Sequence, residues 1–431
     1  MHKADTAALR EQVLRRLRSG EKVSTVAADS GISNSTVYRW RRESRRAATK
    51  PPAAQRLPSI ESAAVPMPSV EGYVGDITGP GITDKWGVTC TDLGVCAVAP
   101  NGKLLSVFGD TFSGLTVGQG DWRAPVALIG SGDTNNQIRY EHAGGADPNY
   151  AQQLWPYVHD GPPWNQGAIS TVIPSDVLVV GQTMYLHAIV NRGFGNVIWT
   201  GIWASTDNGV SWQRKGAKAR FPASLHNGYA QLWSWDYNPD DGWVYVVSTG
   251  FQRDRGIILR RVRPGDIGDR TKYSGWGWAN NQWAWDNVPT PITPPAETWG
   301  ELTLRRLDTG TWIMGGFLSS GYALGYRTID APTANLYEAE VQTPVVGTTW
   351  DAQNLANNQV AQLYGGYVLP GSQLDVQGGV GLVVSQWDTA TGWPYRTMQF
   401  RVTLKDTRGT SSGPSVAITG RRRFRSPGQA R

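Results

Sequence analysis

Five groups of short apolar runs, recurring roughly every seventy residues, constrain this 431-residue chain more than any other feature. They lie at 88–112, at 177–190 with 200–212, at 232–237, 243–248 and 257–262, at 301–306, 311–317 and 323–327, and at 362–368, 380–387 and 398–404. Each group reads as three or four antiparallel strands separated by Gly, Asn, Asp and Pro turns. Five such sheets arranged radially predict a five-bladed β-propeller, and the fold class is mainly β. Twenty Trp and 51 Gly beside only 18% charged residues suit many short strands joined by tight turns. A sandwich or a pair of barrels is the competing arrangement.

The first group contains the most informative local pattern. Two apolar runs, 88–99 and 103–112, meet at Pro100-Asn101-Gly102. Pro suits the first position of a type I turn, Asn the second, and Gly a left-handed third, so a three-residue hairpin loop is expected. Ala99 then faces Lys103, and counting outward sets Asp92 opposite Asp110. Directly opposed like charges destabilise a sheet, so two aspartates retained there require a functional reason. Glycoside hydrolysis supplies one, because it needs one protonated and one ionised carboxyl, and neighbouring charges push two pKa values apart. Asp92 and Asp110 are therefore the candidate catalytic acids. Asp176 in Pro174-Ser-Asp-Val and Glu301 in Trp299-Gly-Glu-Leu stand at expected strand starts and are candidate auxiliary acids at the same channel mouth.

Trp86, Trp276, Trp278, Trp283 and Trp285 are candidate sugar platforms, since pyranose and furanose faces stack on indole. The stretch 274–286 is too polar and Gly-rich for all four of its Trp to be core. Ser205-Thr-Asp-Asn-Gly-Val-Ser-Trp212 fits the S-x-D-x-G-x-x-W pattern of an Asp-box, a structural hairpin turn that leaves Asp207 a poor catalytic candidate. Five scattered His give no metal spacing, no G-x-S-x-G occurs, and no cofactor or metal is expected. Cys90 and Cys96 read as small buried apolar residues, and a straight strand would hold them roughly 20 Å apart.

The ends differ from the body. Residues 1–48 read as a helix-turn-helix: an apolar stripe at Leu9, Val13, Leu14 and Leu17, a second helix closed by Gly31, and a third running into Arg. This segment resembles the small DNA-binding domains of transposases and resolvases. Ser33, Asn34, Ser35, Thr36 and Arg39 would face bases, and Arg41 and Arg42 would reach phosphates. Residues 49–72 read as a Pro-rich linker, 73–408 as the propeller and 409–431 as a disordered basic tail. Net charge is +8 through Arg56, +5 from Arg421 onward and −7 between them, so a polyanion partner is expected for the ends alone. No membrane span and no N-terminal signal peptide are expected, and a monomer is expected.

The 91–94 opening, the Phe108-Gly-Asp-Thr-Phe112 strand end, Pro174-Ser-Asp-Val, Trp299-Gly-Glu-Leu and Leu382-Val-Val-Ser-Gln-Trp387 together resemble a family of endo-D-arabinanases. That family was formerly catalogued as a domain of unknown function in mycobacteria, related actinobacteria and their phages. The resemblance covers residues 75–405. It implies a five-bladed propeller hydrolase that cuts the D-arabinan of arabinogalactan and lipoarabinomannan, with its catalytic acids falling on Asp92 and Asp110. The helix-turn-helix departs from that pattern, and points to a phage or prophage protein released by lysis or carried on a virion. The alternatives are a non-catalytic glycan-binding propeller and a sugar-sensing DNA-binding protein.

Overall fold

The computed structural model describes residues 3–18, 25–26, 29–30, 71–160, 169–193 and 195–408. The chain divides into two units, Met1–Pro66 and Met67–Arg431. In the first, an α-helix spans Lys3–Arg18. Val13 on this helix is buried, as is Val26 beyond it, and Arg16 pairs with Asp29 at 2.7 Å. The proposed base- and phosphate-facing residues, most of the linker and the C-terminal tail lie outside the described residues.

The second unit is a five-bladed propeller. Five antiparallel strands begin the blades in chain order: Cys90–Val98 (blade I), Thr171–Val180 (II), Leu232–Asn238 (III), Trp299–Arg306 (IV) and Leu363–Val368 (V). Each is the inner edge of its sheet, packing on the next, and the last packs on the first. Ring closure uses a strand that the apolar pattern did not reveal. Gly72–Asp76, from before blade I, pairs with Tyr395–Val402 and completes blade V. The two ends of the propeller are thereby fastened by backbone hydrogen bonds.

Apolar side chains fill the spaces between blades, because each sheet is covered on both faces. Trp233, Trp235, Trp299 and Trp312 are fully buried there and account for part of the Trp content. The Asp-box turn has the expected structural role. Asp207 accepts from Ser205 Oγ at 2.7 Å and Ser211 N at 2.9 Å, while buried Trp212 donates to Gly209 O at 3.1 Å. Asn101, at the tip of the first hairpin, donates its N–H to Asn208 Oδ1 in this turn. Cys90 and Cys96 are buried and free. No helix among the described residues is long and apolar enough to cross a membrane.

Inner strands converge on the axis, so charged groups facing it must be paired. Asp176 and Arg305 are such a pair, with contacts of 2.6 and 2.8 Å. Asp176 is completely buried and also accepts from Ser234 Oγ and Trp235 N. Beyond them, where the inner strands end, a pocket of about 250 Å³ is lined by Cys96, Asp236, Arg305 and Ser372 among others. Removing one partner of a buried pair leaves an uncompensated charge, a loss of about 3–5 kcal/mol. Arg305→Leu is accordingly expected to lower the urea midpoint of the whole propeller sharply. A variant as stable as the native chain would show that Asp176 does not depend on its arginine.

Candidate active site

The two candidate acids come from adjacent strands of blade I, Cys90–Val98 and Leu104–Phe112. The turn between them forms as expected: Ala99 N donates to Lys103 O and Gly102 N to Ala99 O, both at 2.8 Å, with Gly102 at φ 82°. Pairing follows the expected count from Val98↔Leu104 to Val95↔Val107 and is in step again at Thr91↔Thr111. Between these points it departs. Leu93 pairs with Phe108, so Gly94 is the extra residue on one strand and the Gly109-Asp110 step compensates on the other. Asp92 and Asp110 are thus not a regular cross-strand pair, which corrects the straight-hairpin expectation. Leu93 and Gly94 both take left-handed φ values, 66° and 82°. Leu93 holds this conformation with its N–H donating to Ser385 Oγ of blade V at 2.9 Å.

The double irregularity tips the Asp92 side chain across Gly109, where a β-carbon would stand only 2.3 Å from Oδ1. Glycine is required at 109 by this close approach. Asp92 Oδ2 accepts from Tyr364 Oη at 2.9 Å, while Oδ1 is buried without a partner. Burial first, and then the nearby charge of Asp110, push the Asp92 carboxyl up to about 8; hydrogen bonds from Tyr395 and Tyr364 pull the other way. Asp110 has a different setting. Its Oδ1 accepts from Trp122 Nε1 at 2.8 Å and Thr171 Oγ1 at 2.6 Å. Burial raises its pKa, opposed by those two donors and by His159. His159 lies on the Trp122 ring, centroids 4.1 Å apart. One carboxyl is therefore placed to keep a proton at neutral pH, while its neighbour is furnished with donors that favour the anion.

Glu301 also reaches this end of the propeller, as the strand-start reading expected. It is 6% exposed, its Oε1 takes Arg253 Nη2 at 2.5 Å, and its Oε2 has no partner. Its charge is felt at Asp92. Arg253, from the loop after the second strand of blade III, has φ 61° and lies over the rings of Tyr364 and Phe317 at 5.1 and 5.3 Å. Among the described residues, no group of three or more acidic, His or Cys side chains converges closely enough to hold a metal ion.

Asp176 does not join them. Its strand begins at Thr171, not after Pro174, and runs through Pro174 with a bulge between Pro174 and Asp176. Proline is tolerated because this is an edge strand. Asp176 is therefore five residues into the strand and sealed against Arg305, and Thr171 occupies the mouth in its place. The candidate tryptophan platforms do not gather at this mouth either. Trp86 is 5% exposed and belongs to the core. Trp276, Trp278, Trp283 and Trp285 sit on the two outermost strands of blade III, remote from the inner strand. Trp276 and Trp283 stack on each other at 6.2 Å, and Trp278 is half exposed.

Tyr364, Tyr395, Trp122, Thr171, Arg253 and His159 were not identified from the sequence. Thr171 and Tyr364 carry a usable signal, since each stands at the start of an inner strand, the position shared with Asp92 and Glu301.

The fold and this mouth define a five-bladed β-propeller whose carboxylates and tyrosines gather at the starts of its inner strands. Residues 78–401 match the sequence model of the family described as "Domain of unknown function (DUF4185)", and the chain belongs to that family. Residues 5–49 match that of a homeodomain-like domain. The chain is 30% identical over 346 residues to an uncharacterized 35.9 kDa protein of Mycolicibacterium smegmatis, covering 76% of this chain and 97% of the relative. It is 29% identical to the notoamide biosynthesis cluster protein J' of Aspergillus versicolor, covering 76% and 88%. A provisionally assigned hydrolase from Bacteroides ovatus has a similar fold, with TM-score 0.51 and 15% identity over 77% of this chain and 90% of that one.

A carboxyl that holds its proton more tightly in the folded than in the unfolded chain contributes stability that is complete in acid. That stability is lost as pH rises from about 4, the unfolded value, through the folded value. With Asp92 near 8, Asp92→Asn is expected to match the native chain at pH 4. At pH 9 it should exceed the native chain by roughly 2–4 kcal/mol, the upper range being discounted for partial exposure. Urea melts at the two pH values check this; a variant no more stable at pH 9 than at pH 4, relative to the native chain, would contradict it.

Proposed function

We propose that this protein is a glycoside hydrolase in which Asp92 is the general acid and Asp110 the nucleophile or base, with Glu301 auxiliary. The observation that carries the reading is the unequal setting of two neighbouring carboxyls at one end of a propeller. Asp92 is raised to about 8 and has one buried oxygen without a partner, while Asp110 keeps Oδ1 occupied by Trp122 and Thr171. In the reaction, the bond from the anomeric carbon to the leaving oxygen breaks as Asp92 passes its proton to that oxygen. Asp110 supplies electrons from the other side, directly to the anomeric carbon or through a water whose proton it takes. Glu301, tied to Arg253, adds negative charge that supports the protonated form of Asp92 and offers its free Oε2 to a sugar hydroxyl.

The substrate class we assign is D-arabinan, with internal D-arabinofuranosyl linkages of arabinogalactan or lipoarabinomannan as the bonds cut. The likeness of the 91–94, 108–112 and 299–302 segments to endo-D-arabinanases supports this reading, as does a relative in Mycolicibacterium smegmatis. The homeodomain-like match favours DNA as a second partner, through residues 1–48. Binding of the full chain to duplex DNA should then weaken steeply with salt.

Release of reducing ends from purified mycobacterial arabinogalactan tests the enzyme. The native chain should release oligosaccharides, and Asp92→Asn and Asp110→Asn should each lose on the order of a thousandfold or more in kcat/KM while remaining folded. No release from any arabinan or other furanoside polymer would reject the assignment. Because Asp92 must carry its proton, kcat/KM should fall as pH rises through about 8. Gly109→Ala, which drives a methyl against Asp92 Oδ1, should reduce kcat by about a hundredfold with little change in KM.

A further inference from the structure

Between blades II and III lies a buried polar cluster that the carboxylate site does not use. Arg260, on Ile258–Val262 of blade III, is completely buried, with its guanidinium 4.4 Å from the Trp233 ring centre and 5.5 Å from that of Tyr273. Its Nη2 reaches Ser248 Oγ at a long 3.4 Å, and its Nε and Nη1 have no partner. His187, on Thr183–Asn191 of blade II, is also completely buried and lies flat on the same Trp233 ring, at 3.9 Å and 5°. Neither of its ring nitrogens has a partner, and the same holds for Trp235 Nε1 and Thr200 Oγ1. The Trp235 ring stands edge-on to His187 at 6.3 Å.

A guanidinium does not discharge by losing its proton, so burying it calls for a counter-charge. The described residues supply none here. Asp176, the acid on the strand paired with that of His187, is committed to Arg305 on the channel side. No described carboxylate pairs with Arg260; the acidic group nearest in effect is the Tyr273 hydroxyl, which burial keeps protonated and which donates to Ile267 O. The histidines are no substitute. Burial, and after it the charge of Arg260, drives both His187 and His226 toward the neutral form, His226 to about 4. The unpaired groups of Arg260 and Trp235 can only donate, and His187 and Thr200 can each donate one hydrogen bond. Water would accept those bonds but would leave the charge unbalanced.

We propose that this interblade cluster binds a small monovalent inorganic anion of the halide class, held by Arg260 Nε and Nη1 and Trp235 Nε1. The ion completes the junction of blades II and III and neutralises Arg260 where no described side chain does. An anion that binds the folded chain alone raises its stability with the logarithm of ion concentration. The test is reversible thermal unfolding of the full chain with sodium chloride exchanged for sodium gluconate at constant ionic strength, together with anomalous diffraction from crystals grown in sodium bromide. The native chain should unfold at rising temperature as chloride replaces gluconate, Arg260→Met should lose that dependence, and a bromide peak should stand within hydrogen-bond reach of Arg260 and Trp235. If Arg260→Met fails to fold, Trp235→Phe should weaken the apparent chloride affinity at least tenfold. An unfolding temperature indifferent to the exchange, equal chloride dependence in native chain and variant, or an ordered water at the bromide position would each overturn the site.

Discussion

The bulge at Leu93-Gly94 is the constraint on which the mouth of this propeller depends. A leucine at φ 66° is held in a region that costs a non-glycine residue about 1–3 kcal/mol, and it is held there by a hydrogen bond from blade V. In a regular ladder Asp92 and Asp110 would meet as an ordinary opposed pair. The bulge and its compensation at Gly109 instead turn Asp92 toward Tyr364 and let its carboxyl rest where a side chain would otherwise stand. Similar register shifts occur in the inner strands of blades II, IV and V, beside Asp176, Glu301 and Tyr367. Bulges re-aim side chains and interrupt pairing, and here they do so where the inner strands converge.

Depth along the inner strands decides what a carboxylate does. Asp176 and Glu301 are both paired to arginine, but the first pair is sealed inside the fold and the second retains an oxygen without a partner. A fully hydrogen-bonded buried pair holds blades II, III and IV in place and has nothing left to offer a ligand. Asp92, Asp110 and Glu301 each lie within three residues of a strand start or end at the opposite side. There burial and like charge hold the proton of Asp92.

Much of this was legible in the chain. The Pro100-Asn101-Gly102 turn sets the hairpin count, and the count returns to step at Thr91↔Thr111, which is why it brought the two aspartates together. It could not show the departure between them, because Gly94 and Gly109 look like ordinary strand glycines until a neighbour's side chain occupies their missing β-carbon. Asp176 was misplaced for a related reason: Pro174 reads as a strand boundary, yet an inner edge strand tolerates a residue without an N–H. The indoles of blade III announced exposure by their polar setting but not their distance from the axis. Tyr364 of blade V meets Asp92 of blade I only through ring closure, and Arg253 meets Glu301 across the junction of blades III and IV; nothing local in a strand records its radial neighbours.

The central claim is that Asp92 keeps its proton at neutral pH, beside an Asp110 whose Oδ1 accepts from Trp122 and Thr171. The most direct measurement is a titration of the full chain labelled with carboxyl-13C aspartate, followed by NMR and assigned with Asp92→Asn. This account predicts one aspartate signal titrating near pH 8 that disappears in the variant. A spectrum in which every aspartate titrates below about pH 5, in the ordinary carboxylate range, would contradict it.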